Sequence, residues 1–313
     1  MTRRDFLLRS SIALSAGLLG RPRLWAQAGA AASAAPSSTG PVTAFYPLRR
    51  GVGYFVGRGG TIGWLVNPDA AVVVDTQFPD TAAACLAGLP DRGDRQIDAV
   101  INTHHHGDHT GGNGIFKAAA RTVVAHQNVL KLQFAAAERN GTIDRQVYAD
   151  TTFPEVWRRD FGSEIVTAQY FGPAHTSGDV AVHFEKAGIV HLGDLMFNRI
   201  YPVIDRVGGA SIRGWIERLG EIADTYPRDT IYLFGHGNPK FGVVGAVDDL
   251  FVLRDYLSGL LDYTQKQISA GESKEKIMTL ENLPGFDDFH APLPNRLSGN
   301  LAVAYDELTD AAR

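Results

Sequence analysis

The stretch THHHGDHTGGN, residues 103–113, decides how this chain reads. His104, His105, His106, Asp108 and His109 put five imidazole or carboxylate side chains into six positions. Such a run makes a poor core and a good metal site, because imidazole nitrogen and carboxylate oxygen together suit zinc and similar first-row divalent ions. The spacing is H-x-H-x-D-H. The chain has only 10 histidines in 313 residues, so four here are not an accident of composition.

Working outward, residues 97–101 form a short apolar run, the pattern of a buried strand leading in. After Gly111 and Gly112, the residues from Ile115 through 117–120 read as a helix leading out. Ligands on such a loop are held by rigid elements yet stay open to substrate. Further ligand types follow at the ends of apolar runs. His175 lies in a turn between residues 164–170 and the alternating strand 180–184. The run 189–192 stops at Gly193 and Asp194, and 231–234 stops at Gly235, His236 and Gly237. Glycine beside each ligand lets the backbone pass close to an ion or adopt a positive φ.

This set, in this order, resembles the metallo-β-lactamase superfamily of hydrolases, with a ligand pattern similar to that of glyoxalase II, over roughly residues 42–247. The resemblance implies an α/β fold, an αββα sandwich, followed here by C-terminal helices. It implies that His104, His106 and His175 hold one ion, that Asp108, His109 and His236 hold a second, and that Asp194 bridges them. Two Zn2+ per chain are the implied cofactors, with iron or manganese as alternatives. The implied reaction is attack of a hydroxide shared by two ions, about 3.5–4 Å apart, on an ester, lactone, thioester or amide carbonyl of a small molecule, β-lactams included. Metal binding lowers the pKa of water to about 7, so no serine or cysteine nucleophile is needed. Asp108 is the implied catalytic residue, a ligand that also accepts the hydroxide's hydrogen bond.

Two other classes stay open. One is a mononuclear iron dioxygenase of the persulfide type, held by His104, His175 and Asp194. The other is a non-catalytic metal-binding module. Asp194 sets the chain apart from the best-known zinc β-lactamases, which usually have cysteine or serine there. Phe197 stands where lactonases often have tyrosine, and the C-terminal basic and aromatic pattern that glyoxalase II uses for glutathione is not found. Asp75 resembles the superfamily aspartate that closes an early strand and orients a ligand histidine, and Gln77 replaces a glycine common two positions later. His105 is expected to point away from the metals. His183 and His191 are read as hydrogen-bonded structural residues, His126 as either a structural residue or a strand-end residue supporting the metal ligands, and His290 as lying off the cleft. The segment 196–214, with Asn198, Arg199, Tyr201, Asp205 and Arg206, is a candidate cleft wall, as are Trp64, Phe78, Tyr148 and Trp157; Asp205 is expected to matter less than Asp194.

The N-terminus carries a second message. Arg3 and Arg4 precede Phe6, Leu7 and Leu8, a modest apolar stretch follows, and Ala26-Gln27-Ala28 has the form of a signal-peptidase site. Residues 1–28 read as a twin-arginine (Tat-type) signal peptide, too weakly apolar for a membrane span, which needs about 20 apolar residues. The expected partners are the Tat export machinery and a small-molecule substrate, with no stable membrane anchor after cleavage, and the expected location is the bacterial periplasm. Cleavage would remove five arginines and one aspartate, taking the net charge from −4 to −8. An acidic chain without a basic run is a poor nucleic-acid binder. The single cysteine, Cys85, excludes an internal disulfide and reads as a small buried residue. Residues 29–41 are a low-complexity linker, and 42–313 are one catalytic domain. Residues 247–268 show helical apolar spacing, and 81–89, 274–283 and 296–308 also read as helices.

Overall fold

The computed structural model of the protein describes residues 43–310. The leader 1–28 and linker 29–41 lie outside the described residues. The first sheet runs in sequence order through β1 (Ala44–Arg49), β2 (Val52–Val56), β3 (Ile62–Val66), β4 (Ala71–Val74), β5 (Ala99–Asn102), β6 (Val123–His126) and β7 (Thr151–Phe153). The first four strands are an antiparallel meander; from β4 to β7 the pairing is parallel. The second sheet contains β8 (Val156–Asp160), β9 (Ile165–Tyr170), β10 (Val180–Phe184) and β11 (Ile189–His191). A short strand β12 (Phe197–Asn198) lies outside it and pairs with β14 below. The second sheet continues through β13 (Ile231–Leu233), parallel to β11, and ends at β15 (Val244–Gly245); between these two, β14 (His236–Gly237) pairs with β12.

The period-two alternation of strand side chains explains the layering. In β4, Val72 and Val74 face the second sheet and meet Val180, Val182, Phe184 and Leu233. Ala71 and Val73 face the other way, onto Ala82 and Cys85 of α1 (Pro79–Gly88). Two one-turn helices of the metal loop follow, α2 (Gly107–Thr110) and α3 (Asn113–Lys117), and Phe116 of α3 joins the same layer. A strand covered on both faces reads as an unbroken apolar run, as residues 71–74 do. The second sheet is covered by the later helices. α4 (Gln127–Asn140) follows β6, and α5 (Ile212–Thr225) and α6 (Val247–Ser269) lie beyond it in the chain. After the short α7 (Lys274–Ile277) comes α8 (Arg296–Asp310). Trp215, Leu219 and Ile222 of α5 pack with Leu250 and Leu253 of α6, Leu301 of α8, and Val190 and Tyr232 of the sheet. The order is therefore helix, sheet, sheet, helix. No described helix is long and apolar enough to cross a membrane.

Several boundaries differ from the sequence reading. The strand expected at 97–101 begins at Ala99, with Ile97 in an isolated bridge to Ala120. The helix after the metal loop is over by Lys117, and that expected at 274–283 stops at Ile277. α5 was not expected at all, although Ser211 caps it by accepting from Gly214 N at 3.0 Å and its apolar residues recur at helical spacing. Its Trp215 is fully buried, and the indole N–H donates to the Leu195 carbonyl at 2.9 Å, next to Asp194. We expect Trp215→Ala to cost about 3–5 kcal/mol of stability, read as a lower urea midpoint. A loss below about 1 kcal/mol, the scale of an ordinary surface change, would mean that α5 is not anchored through this ring.

Candidate metal centre

The site is built from Asp75 outward. This residue follows β4 with φ 62, in the left-handed region, and is fully buried. A non-glycine residue persists there only when its surroundings hold it. One carboxylate oxygen accepts the Thr103 backbone N–H at 2.8 Å; the other accepts the Thr103 hydroxyl at 2.7 Å and lies 2.8 Å from His109 Nδ1. The loop is closed at its ends by Asn102 and Asn113, whose side-chain amides exchange two hydrogen bonds of 3.0 Å. Thr76 N donates to the His109 carbonyl at 2.8 Å. Gln77 also has a positive φ, and its amide nitrogen donates to the Gly60 carbonyl at 2.6 Å. A side chain thus does at this turn what a glycine would do by backbone freedom alone.

Each histidine of the first group is gripped on one ring nitrogen, which leaves the other facing inward. His104 Nδ1 donates to Thr103 Oγ1 at 3.1 Å, and His175 Nδ1 donates to the Val203 carbonyl at 2.8 Å. His106 is held the other way round: its Nε2 donates to Asp205 Oδ2 at 3.0 Å, so Nδ1 faces inward. With tautomers assigned by these partners, His106 Nδ1 and His175 Nε2 point lone pairs at each other across 3.0 Å. That arrangement repels unless a cation sits against both. His104 Nε2 is buried without a hydrogen-bond partner.

Asp194 stands between two groups of donors. Its Oδ2 is 3.5 Å from His175 Nε2 and 3.8 Å from His104 Nε2. Its Oδ1 is 3.1 Å from His109 Nε2 and 3.4 Å from His236 Nε2. Asp108 Oδ2 completes the second group, 3.1 Å from His236 Nε2. The ligand atoms of His104, His106, His175 and Asp194 all lie within 4.8 Å of one another, and so do those of Asp108, His109 and His236. Two glycines make room: a Cβ on Gly235 would lie 2.0 Å from Asp194 Oδ1, and one on Gly60 would lie 2.1 Å from the His109 ring.

The electrostatics of the two groups differ. Burial, helped by the neighbouring imidazoles, holds His104 well below the ordinary histidine range. Burial also brings His175 down to about 4, against the pull of Asp194. These rings are neutral at pH 7, as ligation requires. At His109 burial opposes charge, but Asp194, Asp108 and Asp75 outweigh it and hold the imidazole well above its usual range. His236 is raised against burial by Asp194 and Asp108. Asp108 stays ionised: burial pushes it up, but His109 and His236 carry it down to about 2. Asp194 is held far below the carboxylate range in the same way. This half of the site demands positive charge, and a divalent ion would displace the proton that His109 otherwise keeps.

The group opens into a cleft of about 250 Å3. His106, Asp108, Asp194 and His236 form its floor, Phe197, Ile200, Tyr201 and Val203 one wall, and Pro292, Leu293 and Arg296 another. The other candidate wall residues lie elsewhere. Asn198 donates to the Gly242 carbonyl, Arg199 pairs with Asp249, and Arg206 pairs with Asp310. Trp64 is core, Trp157 packs at the edge of the inter-sheet core, Phe78 lies under Arg58, and Tyr148 neighbours Phe134. His126 stacks on Tyr170, His183 meets Tyr226, His191 Nε2 donates to the Thr61 carbonyl, and the His290 backbone pairs with Arg199 and Tyr201.

A profile described as the Metallo-beta-lactamase superfamily matches residues 56–236. The chain belongs to that superfamily. Among curated proteins, it is 37% identical over 103 residues to a hydroxyacylglutathione hydrolase of Erythrobacter litoralis, covering 32% of this chain and 35% of that protein. It is 36% identical over 120 residues to the enzyme of the same name from Methylococcus capsulatus, covering 38% and 41%. The chain thus spans well under half the length of these relatives. Among solved structures, a metallo-beta-lactamase from Pontibacter korlensis is 16% identical with a TM-score of 0.58, covering 69% of this chain and 99% of that one. Another, from Hirschia baltica, is 20% identical with a TM-score of 0.54, covering 69% and 97%. At these identities the structural likeness shows the superfamily fold alone.

Asp205, which the sequence placed only in a candidate cleft wall, lies against two histidines of the metal loop. It lies 99 positions from His106, accepts from it at 3.0 Å, and stands 3.5 Å from His105 Nε2. The Gly208 N–H, donating at 2.9 Å, fixes it in turn. Burial opposes its ionisation, but His106 and Gly208 hold the carboxyl well below its ordinary range. His105, turned toward this carboxylate, sits behind the ligand group. Nothing local in the sequence joins the three; only the fold of the segment after β12 does. We expect Asp205→Ala to weaken zinc binding by about 10–100-fold in competition with a chromophoric chelator. Unchanged affinity would show that His106 is oriented without it.

Proposed function

We propose that this protein is a dinuclear zinc-dependent hydrolase acting on an ester, lactone or thioester carbonyl of a small molecule. The observation that carries the reading is Asp194, whose two oxygens face two separate groups of donors. His104, His106, His175 and Asp194 Oδ2 would hold one ion; Asp108, His109, His236 and Asp194 Oδ1 would hold the other. Nitrogen and oxygen donors without thiolate suit zinc, with iron or manganese as alternatives. Bound ions would supply Lewis acidity and a lowered water pKa. The chain's own part is to hold the rings in the ligating tautomer through Thr103, Asp75, Val203 and Asp205. Asp108, ionised and lining the cleft, can accept a hydrogen bond from an O–H group there and orient it. The apolar walls exclude water from the substrate's body. The relatives named hydroxyacylglutathione hydrolase support the thioester and ester end of the range. Asp194 in place of cysteine or serine weighs against β-lactams.

The persulfide-type iron dioxygenase reading would use His104, His175 and Asp194 and leave Asp108, His109 and His236 without a role. Their grouping within 4.8 Å supports the two-ion reading instead. We expect close to two zincs per chain, chromogenic ester, lactone or thioester turnover, and loss of both metal and rate in His106→Ala. One iron per chain with oxygen uptake would replace this reading with the dioxygenase. Full metal content with no turnover across the panel would leave a binding module.

We also propose export to the periplasm by the Tat machinery, on the strength of Arg3, Arg4 and the site at Ala28. A folding-dependent route suits an enzyme that loads its metals before export. Arg3→Lys with Arg4→Lys is expected to strand the protein in the cytoplasm, measured by fractionation. Normal export of that variant would point to another route.

A further inference from the structure

Arg296 opens α8 and lines the cleft together with Phe197, Ile200 and Val203. It is the one cationic side chain, apart from histidine, among the lining residues. Its Nε is buried and has no hydrogen-bond partner, and the side chain makes no ion pair with any described residue. Arg92 and Arg218 also have a buried Nε without a partner, but both donate through their terminal nitrogens, whereas the Arg296 side chain makes no hydrogen bond to any described residue. Arg92 and Arg95 donate to backbone carbonyls, Arg199 pairs with Asp249, Arg218 with Glu221 and the Phe171 carbonyl, and Arg254 with Asp255. Arg296 is half-buried, its buried Nε has no acceptor in the protein, and the planar fork of a guanidinium matches a carboxylate. An anionic group bound in the cleft would supply the acceptor that no described residue gives. The carboxylates on the floor do not serve, since Asp108 and Asp194 already face His236 and His109.

We propose that Arg296 is the specificity-determining residue of the cleft, and that the preferred substrate is a carbonyl compound bearing a carboxylate beside an apolar body. The apolar body lies along Phe197, Ile200, Val203 and Leu293, and the carboxylate is held by the guanidinium. This rests on the hydrolase reading for turnover, but not for binding. A cleft of about 250 Å3 falls just under the usual range for small-molecule sites, about 300–1,000 Å3, so the bound part of the substrate is small.

The test has two arms. In the first, the zinc-loaded protein is given a chromogenic thioester of a dicarboxylic acid and its methyl-ester counterpart, and the ratio of the two kcat/KM values is measured. We expect the wild type to favour the free acid. The ratio should fall about 10–100-fold in Arg296→Met, the scale of a charge-assisted hydrogen bond, and part of it should return in Arg296→Lys. A ratio within about twofold of wild type in Arg296→Met, on that same scale, overturns the proposal. In the second arm, the metal-free protein is titrated with 4-phenylbutyrate and with 4-phenylbutanol by calorimetry. Preference for the acid, lost in Arg296→Met, supports the proposal even if neither thioester is turned over, an outcome that would count against the hydrolase reading alone. Equal binding of acid and alcohol by the wild type overturns it. The second arm counts only if Arg296→Met still binds 4-phenylbutanol as the wild type does, which keeps a general loss of folding from imitating the expected result.

Discussion

One buried carboxylate holds the metal loop in place. Asp75 sits at the end of a central strand and binds the loop at both its entrance, through Thr103, and its helix, through His109. A loop of this length carrying four potential ligands would otherwise sample many arrangements, since each residue fixed costs about 1–2 kcal/mol of backbone entropy. The strand end supplies a rigid anchor, and the reciprocal amide pair of Asn102 and Asn113 closes the loop behind it. The strained φ of Asp75 is held by its surroundings: its three side-chain hydrogen bonds are with the loop, and its backbone N–H donates to the Ile101 carbonyl of β5 at 2.8 Å.

The second half of the site follows the same logic with different parts. Asp194 lies in a short turn after β11, His175 in the turn before β10, and His236 just past β13. Trp215 ties the Asp194 turn to α5, His191 ties it to Thr61 just before β3, and the Val203 carbonyl orients His175. Every ligand is therefore backed by an element that belongs to the core. A site of this kind keeps its geometry because its neighbours are packed.

Much of this was legible in the sequence, and the reason is local. The motif at 103–113, the strands that stop at Asp194 and His236, and the buried runs of the first sheet each announce themselves within a few residues. The superfamily and its layered fold follow from them. What stayed hidden depends on distance along the chain. Asp205 reaches His106 across 99 positions, and Arg296 reaches the cleft from the opposite end of the domain. Helix α5 was missed for another reason: its first turn falls inside the segment 196–214, read as a candidate cleft wall, and tertiary burial of Trp215, Leu219 and Ile222 makes it a helix. The short α3 and α7 show the reverse, where a local helical pattern was longer than the packing supports.

The donors come from both sides of the sandwich: His104, His106, Asp108 and His109 follow β5 of the first sheet, while His175 and Asp194 lie in turns next to β10 and β11 of the second and His236 comes after β13. An ion held by both acts as a rivet across the seam of the sandwich, in a chain whose lone thiol leaves it no internal disulfide. Its fastening strength would rise with free metal, by about 2.7 kcal/mol when the ion is present at 100 times its dissociation constant. For such a chain, metal scarcity would act as a thermal threat as much as a chemical one.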